Sequence, residues 1–264
     1  MPAFKLEGTI LSKRQFGESD AMLNVFTISR GLETYVAKGA MRSRRRLVGG
    51  LEPFTRSEFS VYISRPGRLG VVQSLKVLTL RFELYRDLDV FTYLTGVSTF
   101  LIDVLPRGVP EYEIYDLYES LLQSVVRGGD AESLSLSFYF RAMGSLGWRL
   151  DVGACAGCRK LPEAEGEYIV DFSEGKMYCP ACRSSEGSTS LSHSALGRPC
   201  PAESVILNLG QARSLSSLVL PPRLKPGICI DSAHARIFRQ MVDRYLLRHT
   251  GVDRATASLT DRMK

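Results

Sequence analysis

The 264-residue sequence predicts an α+β fold: an N-terminal five-stranded β-barrel, then an α-helical bundle with an embedded four-cysteine element. Three observations carry this expectation. Residues 4–80 run as short segments of alternating apolar and polar residues, cut by Gly and Pro, as half-buried strands do. From about residue 82 the apolar period becomes helical. Four of the six cysteines form two Cys-x-x-Cys pairs, Cys155/Cys158 and Cys179/Cys182, with 20 residues between the pairs.

The barrel strands are read in order. Phe4–Leu11 opens on alternation. Ala21–Thr27 follows the turn-forming Gly17-Glu18-Ser19-Asp20, and Thr34–Lys38 follows Arg30-Gly31. Ser57–Ile63 places Phe59, Val61 and Ile63 on one face. Leu69–Gln73 follows the turn Arg65-Pro66-Gly67-Arg68. Five strands in roughly 75 residues suit a small closed barrel of the oligonucleotide-binding (OB) type.

Beyond the barrel, Phe82–Leu105 reads as one long apolar helix stopped by Pro106. Pro110 stands at an expected first helical position, ahead of Ile114, Tyr118, Leu121, Leu122 and Val125 at helical spacing. Gly128-Gly129 ends that run, and Asp130 can cap a helix through Leu134, Phe138 and Leu146. Pro201–Leu218 and a segment capped by Ser232, with Ile237, Met241, Tyr245 and Leu246 as its apolar stripe, predict two further helices. Tyr168–Phe172 and Lys176–Tyr178 flank a turn and predict a hairpin between the cysteine pairs. The expected organisation is a barrel over 1–80, a helical domain in two parts over 81–150 and 186–252, a zinc ribbon-like insertion over 151–185, and a polar tail over 253–264.

An apolar fraction of 44% suffices for a sizeable core. No apolar run reaches the ~18 residues of a membrane helix, and Glu7 and Gly8 stand where a secretory signal would be apolar, so an intracellular, soluble protein is expected. The net charge of +6 is unevenly spread. Residues 1–80 hold 13 Lys/Arg against 6 Asp/Glu, a net of +7, and the remainder sums to −1. That asymmetry points to a polyanion-binding barrel on a neutral body, the bland alternative being a domain that is merely basic.

Two motifs carry chemistry. Cysteine pairs in a reducing compartment suggest metal before disulfide. Four thiolates saturate tetrahedral zinc and leave no position for water, so the expected site is one structural Zn2+ held by Cys155, Cys158, Cys179 and Cys182. Redox dithiols, two disulfides or iron–sulfur ligation are the alternatives. Cys200 and Cys229 lack partners at ligand spacing and read as small buried apolar residues. The second motif is Lys38-Gly39-Ala40-Met41-Arg42-Ser43-Arg44-Arg45-Arg46, whose cations can track phosphates from an adaptable loop or form a solvated charge run. Lys13, Arg14, Arg56, Arg65 and Arg68 share the domain. Phe16, Tyr35, Phe54 and Tyr62 are candidates to stack on bases or to fill the core. No phosphate loop, His-Glu-x-x-His or nucleophile elbow occurs. The histidines at 193, 234 and 249 are scattered, and Glu163, Glu165 and Glu167 read as a solvated edge. No enzyme is expected.

The order and spacing of Gly8-Thr9-Ile10-Leu11-Ser12, Gly17-Glu18-Ser19-Asp20, Phe26-Thr27, Gly31, Ala37-Lys38-Gly39-Ala40 and Leu51-Glu52-Pro53-Phe54 resemble the RecO family of bacterial recombination-mediator and DNA repair proteins. The likeness is specific in residues 8–63 and in the cysteine pairs. It implies an OB barrel, a helical bundle with a zinc element, binding to single- and double-stranded DNA, and annealing of complementary strands. It also implies work with RecR and single-stranded DNA-binding protein to load RecA onto coated strands, in the bacterial cytoplasm at the nucleoid. Carried over by residue, the four cysteines would be zinc ligands. Lys38, Arg42, Arg44, Arg45 and Arg46 would lead the phosphate contacts, joined by Lys13, Arg14 and Arg56. The alternatives are a zinc-containing RNA-binding factor, a protein-interaction scaffold without annealing activity, and a metal-dependent hydrolase.

Overall fold

A computed structural model describes residues 3–42, 50–65, 67–185, 204–220, 224 and 227–251. Its contacts divide the chain into two units, one running to Ala131 and the other beginning at Glu132.

In the first unit, β1 (Phe4–Phe16), β2 (Asp20–Thr27), β3 (Gly31–Ala37), β4 (Arg56–Tyr62) and β5 (Gly70–Thr79) close a barrel in the order β1-β2-β3-β5-β4. The long β1 serves two neighbours, pairing antiparallel with β4 from Phe4 to Thr9 and with β2 from Gly8 to Phe16. A register shift between Ile10 and Ser12 lets the strand bend between them. The alternation read in the sequence becomes the core: Leu6, Ile10, Leu23, Val25, Tyr35, Phe59, Val61 and Val72 all point inward.

The seam between β3 and β5 is short. Only Tyr35 with Gly70 and Val36 with Val71 pair there, in parallel. Further along, Leu32 is bridged instead by Arg107, and the Gly108 amide donates to the Leu32 carbonyl at 3.1 Å. Gly31 makes that approach possible. Its φ is +64°, and a Cβ there would lie 1.7 Å from the Val109 carbonyl oxygen, so only glycine fits.

A 3-10 turn, Phe82–Tyr85, leads into α1 (Leu88–Val104) and α2 (Tyr112–Val126). The single helix expected over Phe82–Leu105 is therefore broken. Asp87 accepts from the amides of Asp89 and Val90 and starts a new helix there. Pro110 lies outside α2, whose N-cap position is Glu111. Both helices belong to the barrel's unit. Phe26 meets Tyr115 edge-on at 5.2 Å, and Ser98 and Tyr118 share a buried hydrogen bond of 2.8 Å. Beneath them lies a buried ionic cluster. Arg81 donates to Glu119 at 2.6 Å and to the Phe54 carbonyl at 2.6 Å, Thr9 donates to Glu119 at 2.5 Å, and Arg56 joins Glu119 to Glu7. Phe54 adopts φ 63°, unusual for a bulky residue. Its amide, bonded to the Ile10 carbonyl at 2.7 Å, and its Arg81-bound carbonyl hold it there.

The second unit takes up α3 (Ala131–Ser145), β6 (Asp151–Cys155), β7 (Tyr168–Asp171), β8 (Lys176–Tyr178), α4 (Pro180–Ser185), β9 (Ser204–Leu207), α5 (Leu209–Val219) and α6 (Ser232–Thr250). The expected hairpin forms as β7 and β8, inside a sheet ordered β6-β8-β7-β9. Pro201–Leu218 is not one helix. Ser204–Leu207 pairs antiparallel with β7, and the Asn208–Gln211 capping box starts α5 only after it. Asp231 caps α6 in place of Ser232 by accepting from Ala233 and His234, and Gly251 ends the helix in the left-handed region. Serine hydroxyls tie the helices together. Ser137 donates to the Leu218 carbonyl at 2.8 Å, and the Ile230 amide donates to Ser133 at 2.9 Å. No described helix is long and apolar enough to cross a membrane.

Candidate nucleic-acid interface and metal centre

The strand arrangement creates a groove of about 480 Å³ lined by residues of β1, β2, β3, the β4–β5 connection and the chain at and after the end of α1. Four arginines surround it. Arg14 comes from β1, Arg30 from the β2–β3 turn, Arg68 from the β4–β5 connection and Arg107 from the segment after α1. Its apolar lining comes from Met22, Ile63, Leu69 and Ile102, and Tyr35, Asn24, Glu33 and Thr34 also line it. In OB barrels, strands 2 and 3 with the 1–2 and 4–5 loops form the usual ligand face; this groove shares β2, β3 and the β4–β5 connection with it.

Several of these groups are pre-oriented. Glu33 accepts from Arg30 at 3.0 Å. Thr34 accepts from Arg107 and donates to Asn24 at 2.8 Å, and Asn24 donates to Ser12 at 2.9 Å. Burial raises the Tyr35 phenol, and neighbouring Glu33 adds to the effect, so the hydroxyl stays protonated at neutral pH.

Of the cations expected from sequence, Arg14 lines the groove. Lys38 is exposed at the end of β3. Exposed Arg42 stands 3.7 Å from Glu18, on a turn pinned to the β1–β2 turn by Met41 and Gly39 amides bonded to Ser19 and Asp20. Arg44, Arg45 and Arg46 lie outside the described residues. Lys13 is paired with Glu52 at 2.7 Å, and Arg56 belongs to the ionic cluster with Glu7 and Glu119. Among the stacking candidates, Tyr35 and Phe54 are core residues, Tyr62 is half-buried, and Phe16 is 47% exposed. Arg30 and Arg107 carried no signal as site members. Arg107 in particular reaches the groove only because the chain after α1 bridges to β3.

In the second unit, β6 and the start of α4 bring Cys155, Cys158, Cys179 and Cys182 together, with all four sulfurs within 4.8 Å of one another. Cys158 and Cys179 Sγ are 3.8 Å apart. The Cys179 amide points at Cys155 Sγ at 3.3 Å, and the Cys182 amide at Cys179 Sγ at 3.5 Å. A Cβ at Gly157 would lie 2.9 Å from Cys182 Sγ, so glycine lets the first turn close over the second. Burial works to raise Cys155, but amides of Cys158, Cys179 and Gly157 outweigh it and lower the thiol to about 6. The neighbouring Cys179 and Cys158 push Cys182 up to about 12. Four thiols this close resist ionising together, and a divalent cation relieves that conflict. The cluster can hold a metal ion. Cys229 is exposed, not buried as expected, because it precedes the Asp231 cap on a surface segment. Cys200 and His193 lie outside the described residues. Glu163, Glu165 and Glu167 are exposed.

Comparison with known proteins places both features in one family. Residues 1–81 match the family model described as "Recombination protein O N terminal", and residues 85–187 match "Recombination protein O C terminal". A protein of Geobacter metallireducens named DNA repair protein RecO is 31% identical over 183 residues, covering 69% of this chain and 73% of that one. The chain belongs to the RecO family. A second RecO, of Geobacter sulfurreducens, is 28% identical over 226 residues, covering 84% of this chain and 86% of its own. The RecO of Syntrophobacter fumaroxidans is 28% identical over 180 residues, covering 68% and 71%. The N-terminal RecO match spans the whole barrel, and the C-terminal RecO match contains all four clustered cysteines together with Ile102 and Arg107 of the groove. The RecO motif residues explain themselves in the fold: Gly31 admits the seam, and Phe54 anchors the turn above Arg81.

Proposed function

We propose that this RecO-family chain is a DNA-repair mediator that acts by binding, without bond chemistry of its own. It binds single- and double-stranded DNA, anneals complementary strands, and with RecR helps RecA load onto strands coated by single-stranded DNA-binding protein, in the bacterial cytoplasm. The observation that supports this most is the groove rimmed by Arg14, Arg30, Arg68 and Arg107. Guanidinium groups hold phosphates through forked hydrogen bonds. Two strands neutralised on one cationic barrel repel each other less, so pairing is faster. Exposed Lys38 and Arg42 are further phosphate contacts in this reading, as are Arg44, Arg45 and Arg46 by their sequence, while Lys13 and Arg56 contribute charge already offset by Glu52, Glu7 and Glu119.

The four clustered cysteines hold one structural zinc ion in this reading. A tetrahedral shell with ~2.3 Å Zn–S bonds sets sulfurs ~3.8 Å apart, which is the Cys158–Cys179 separation of 3.8 Å. Zinc bound there supplies folding energy to the β6–β8 region and offers no open coordination position.

Five phosphate contacts on a single strand correspond to a log–log salt slope of about −3.5. Changing Arg44, Arg45 and Arg46 together to Ala is expected to flatten the slope by about 2, measured by oligonucleotide anisotropy across a salt series. An unchanged slope removes this loop from the DNA site. Tighter binding to structured RNA than to single-stranded DNA would favour the RNA-binding alternative.

A further inference from the structure

We propose that the four-cysteine cluster is also an oxidative modification site: a peroxide reacts at Cys158, Cys179 closes a disulfide onto it, and the metal is released. The inference rests on the zinc reading above and gives that site a second, metal-free state.

The four cysteines are not equally placed. Cys155 and Cys179 are buried, Cys182 is half-buried, and Cys158 is exposed. Exposed Arg159 and Lys160 follow Cys158 directly. A thiol in a metal shell is held deprotonated, and the thiolate is the form that attacks an oxidant. An oxidant arriving through water therefore meets Cys158 first, beside two cations. Oxidation-sensitive cysteines are accessible and stand next to a second thiol that can resolve them. Cys179 Sγ is that thiol, 3.8 Å from Cys158 Sγ and on the other turn of the cluster. Backbone bonds hold both turns in place. The Arg159 amide donates to the Cys155 carbonyl at 2.8 Å, and the Cys182 amide points at Cys179 Sγ at 3.5 Å. The chemistry balances with one hydrogen peroxide. The Cys158 thiolate attacks it, an S–O bond forms, the O–O bond breaks, and the departing hydroxide is protonated to water. The Cys179 thiolate then attacks the sulfenic sulfur, an S–S bond forms, the S–O bond breaks, and a second water results. Two thiolates are oxidised and one peroxide is reduced. Cys155 and Cys182 remain as two ligands, where structural zinc takes four. Cys229 is also exposed but lies outside the cluster, so no clustered thiol resolves it. Release of the ion leaves β6 and β8 with only the pairs Asp151–Lys176 and Cys155–Met177 to join them, so oxidation reaches the fold of the second unit.

The test uses the full-length zinc-loaded protein, hydrogen peroxide and a chromophoric zinc indicator. The wild type is expected to release its zinc, and trypsin is then expected to yield Leu150–Arg159 linked to Met177–Arg183, the two peptides that carry the cysteine pairs. Fragmentation should place the bond between Cys158 and Cys179. Cys158→His keeps a fourth ligand that zinc accepts and removes the attacking thiolate, so its release should be at least about tenfold slower. Cys182→His makes the same ligand change but keeps the Cys158–Cys179 pair, and should release zinc at least about tenfold faster than Cys158→His. Cys229→Ser should release zinc at the wild-type rate. A dithiol reductant with added zinc should restore the metal. The proposal falls if the wild type keeps its zinc while Cys229 is oxidised, if the two peptides come out unlinked or joined through other cysteines, or if Cys158→His releases zinc as fast as the wild type. Should Cys158→His take up no zinc, the peptide map of the wild type decides. Zinc kept under peroxide ends this inference alone, whereas protein that carries no zinc and takes up none ends the zinc reading with it.

Discussion

Replacing Cys179 with serine is expected to release one equivalent of zinc and to unfold the β6–β8 region. Cys179 is the buried member of the second pair. Its amide points at Cys155 and its sulfur meets Cys158, so it touches both turns of the cluster. Around the site the sheet is thin. β6 and β8 are paired at only Asp151 with Lys176 and Cys155 with Met177, and the Ala156 amide adds one bond to Met177 at 2.8 Å. Structural zinc contributes ~10–16 kcal/mol of binding energy in small zinc peptides, far more than these strands supply. The damage should spread to α5, because Arg213 donates to the Pro162 carbonyl at 3.0 Å in the loop between the pairs. Metal content is read by elemental analysis. Folding is read from Trp148, the single tryptophan, which stacks on His249 in the same unit with ring centroids 5.4 Å apart. Cys229→Ser, exposed and outside the cluster, should keep both metal and fluorescence. Full zinc retention in Cys179→Ser protein would overturn the ligand assignment.

The second large effect is expected at Glu119. Its side chain is 14% exposed and accepts from Arg81, itself 7% exposed, while Arg56 approaches at 3.7 Å. Removing one partner of a buried ion pair leaves the other charge without compensation, at a cost of ~3–5 kcal/mol. Glu119→Ala should destabilise the first unit by about 3 kcal/mol, because Arg81, Arg56 and Thr9 all lose their acceptor on α2. Amide hydrogen exchange along β1 and β2 in the full-length protein reports this directly. Combining Arg81→Met with Glu119→Leu should recover much of the loss, since well-packed apolar groups replace buried pairs with little penalty. Protection factors unchanged in Glu119→Ala protein would mean that the ionic cluster does not hold α2 to the barrel.

The fold was legible where local pattern and burial agree. Phe59, Val61 and Ile63 alternate in the sequence, and in the barrel Phe59 and Val61 are buried with Ile63 packed against them. The Cys-x-x-Cys pairs converge because each is a tight turn and a hairpin lies between them. Errors came where a tertiary partner decides the outcome. Ser204–Leu207 is too short to announce itself and is a strand because β7 offers it an edge. Asp87 and Asp231, ordinary acids in the sequence, set helix starts through side-chain caps. The site was half legible. A run of cations such as Lys38–Arg46 is visible by composition, whereas the groove gathers single arginines from four segments and exists only once β3 and the chain after α1 are joined. Arg56 shows the reverse case: charge alone marked it as a phosphate contact, and only the fold reveals that Glu7 and Glu119 lie beside it.

The central claim is that the chain handles strands without chemistry of its own. The most direct measurement follows the annealing of two complementary strands coated with single-stranded DNA-binding protein, in the absence of nucleotide. The account predicts that the protein accelerates annealing, that rising salt suppresses the effect, and that Arg68→Ala slows it. Annealing at the uncatalysed rate, with the strands still bound by the protein, would contradict it.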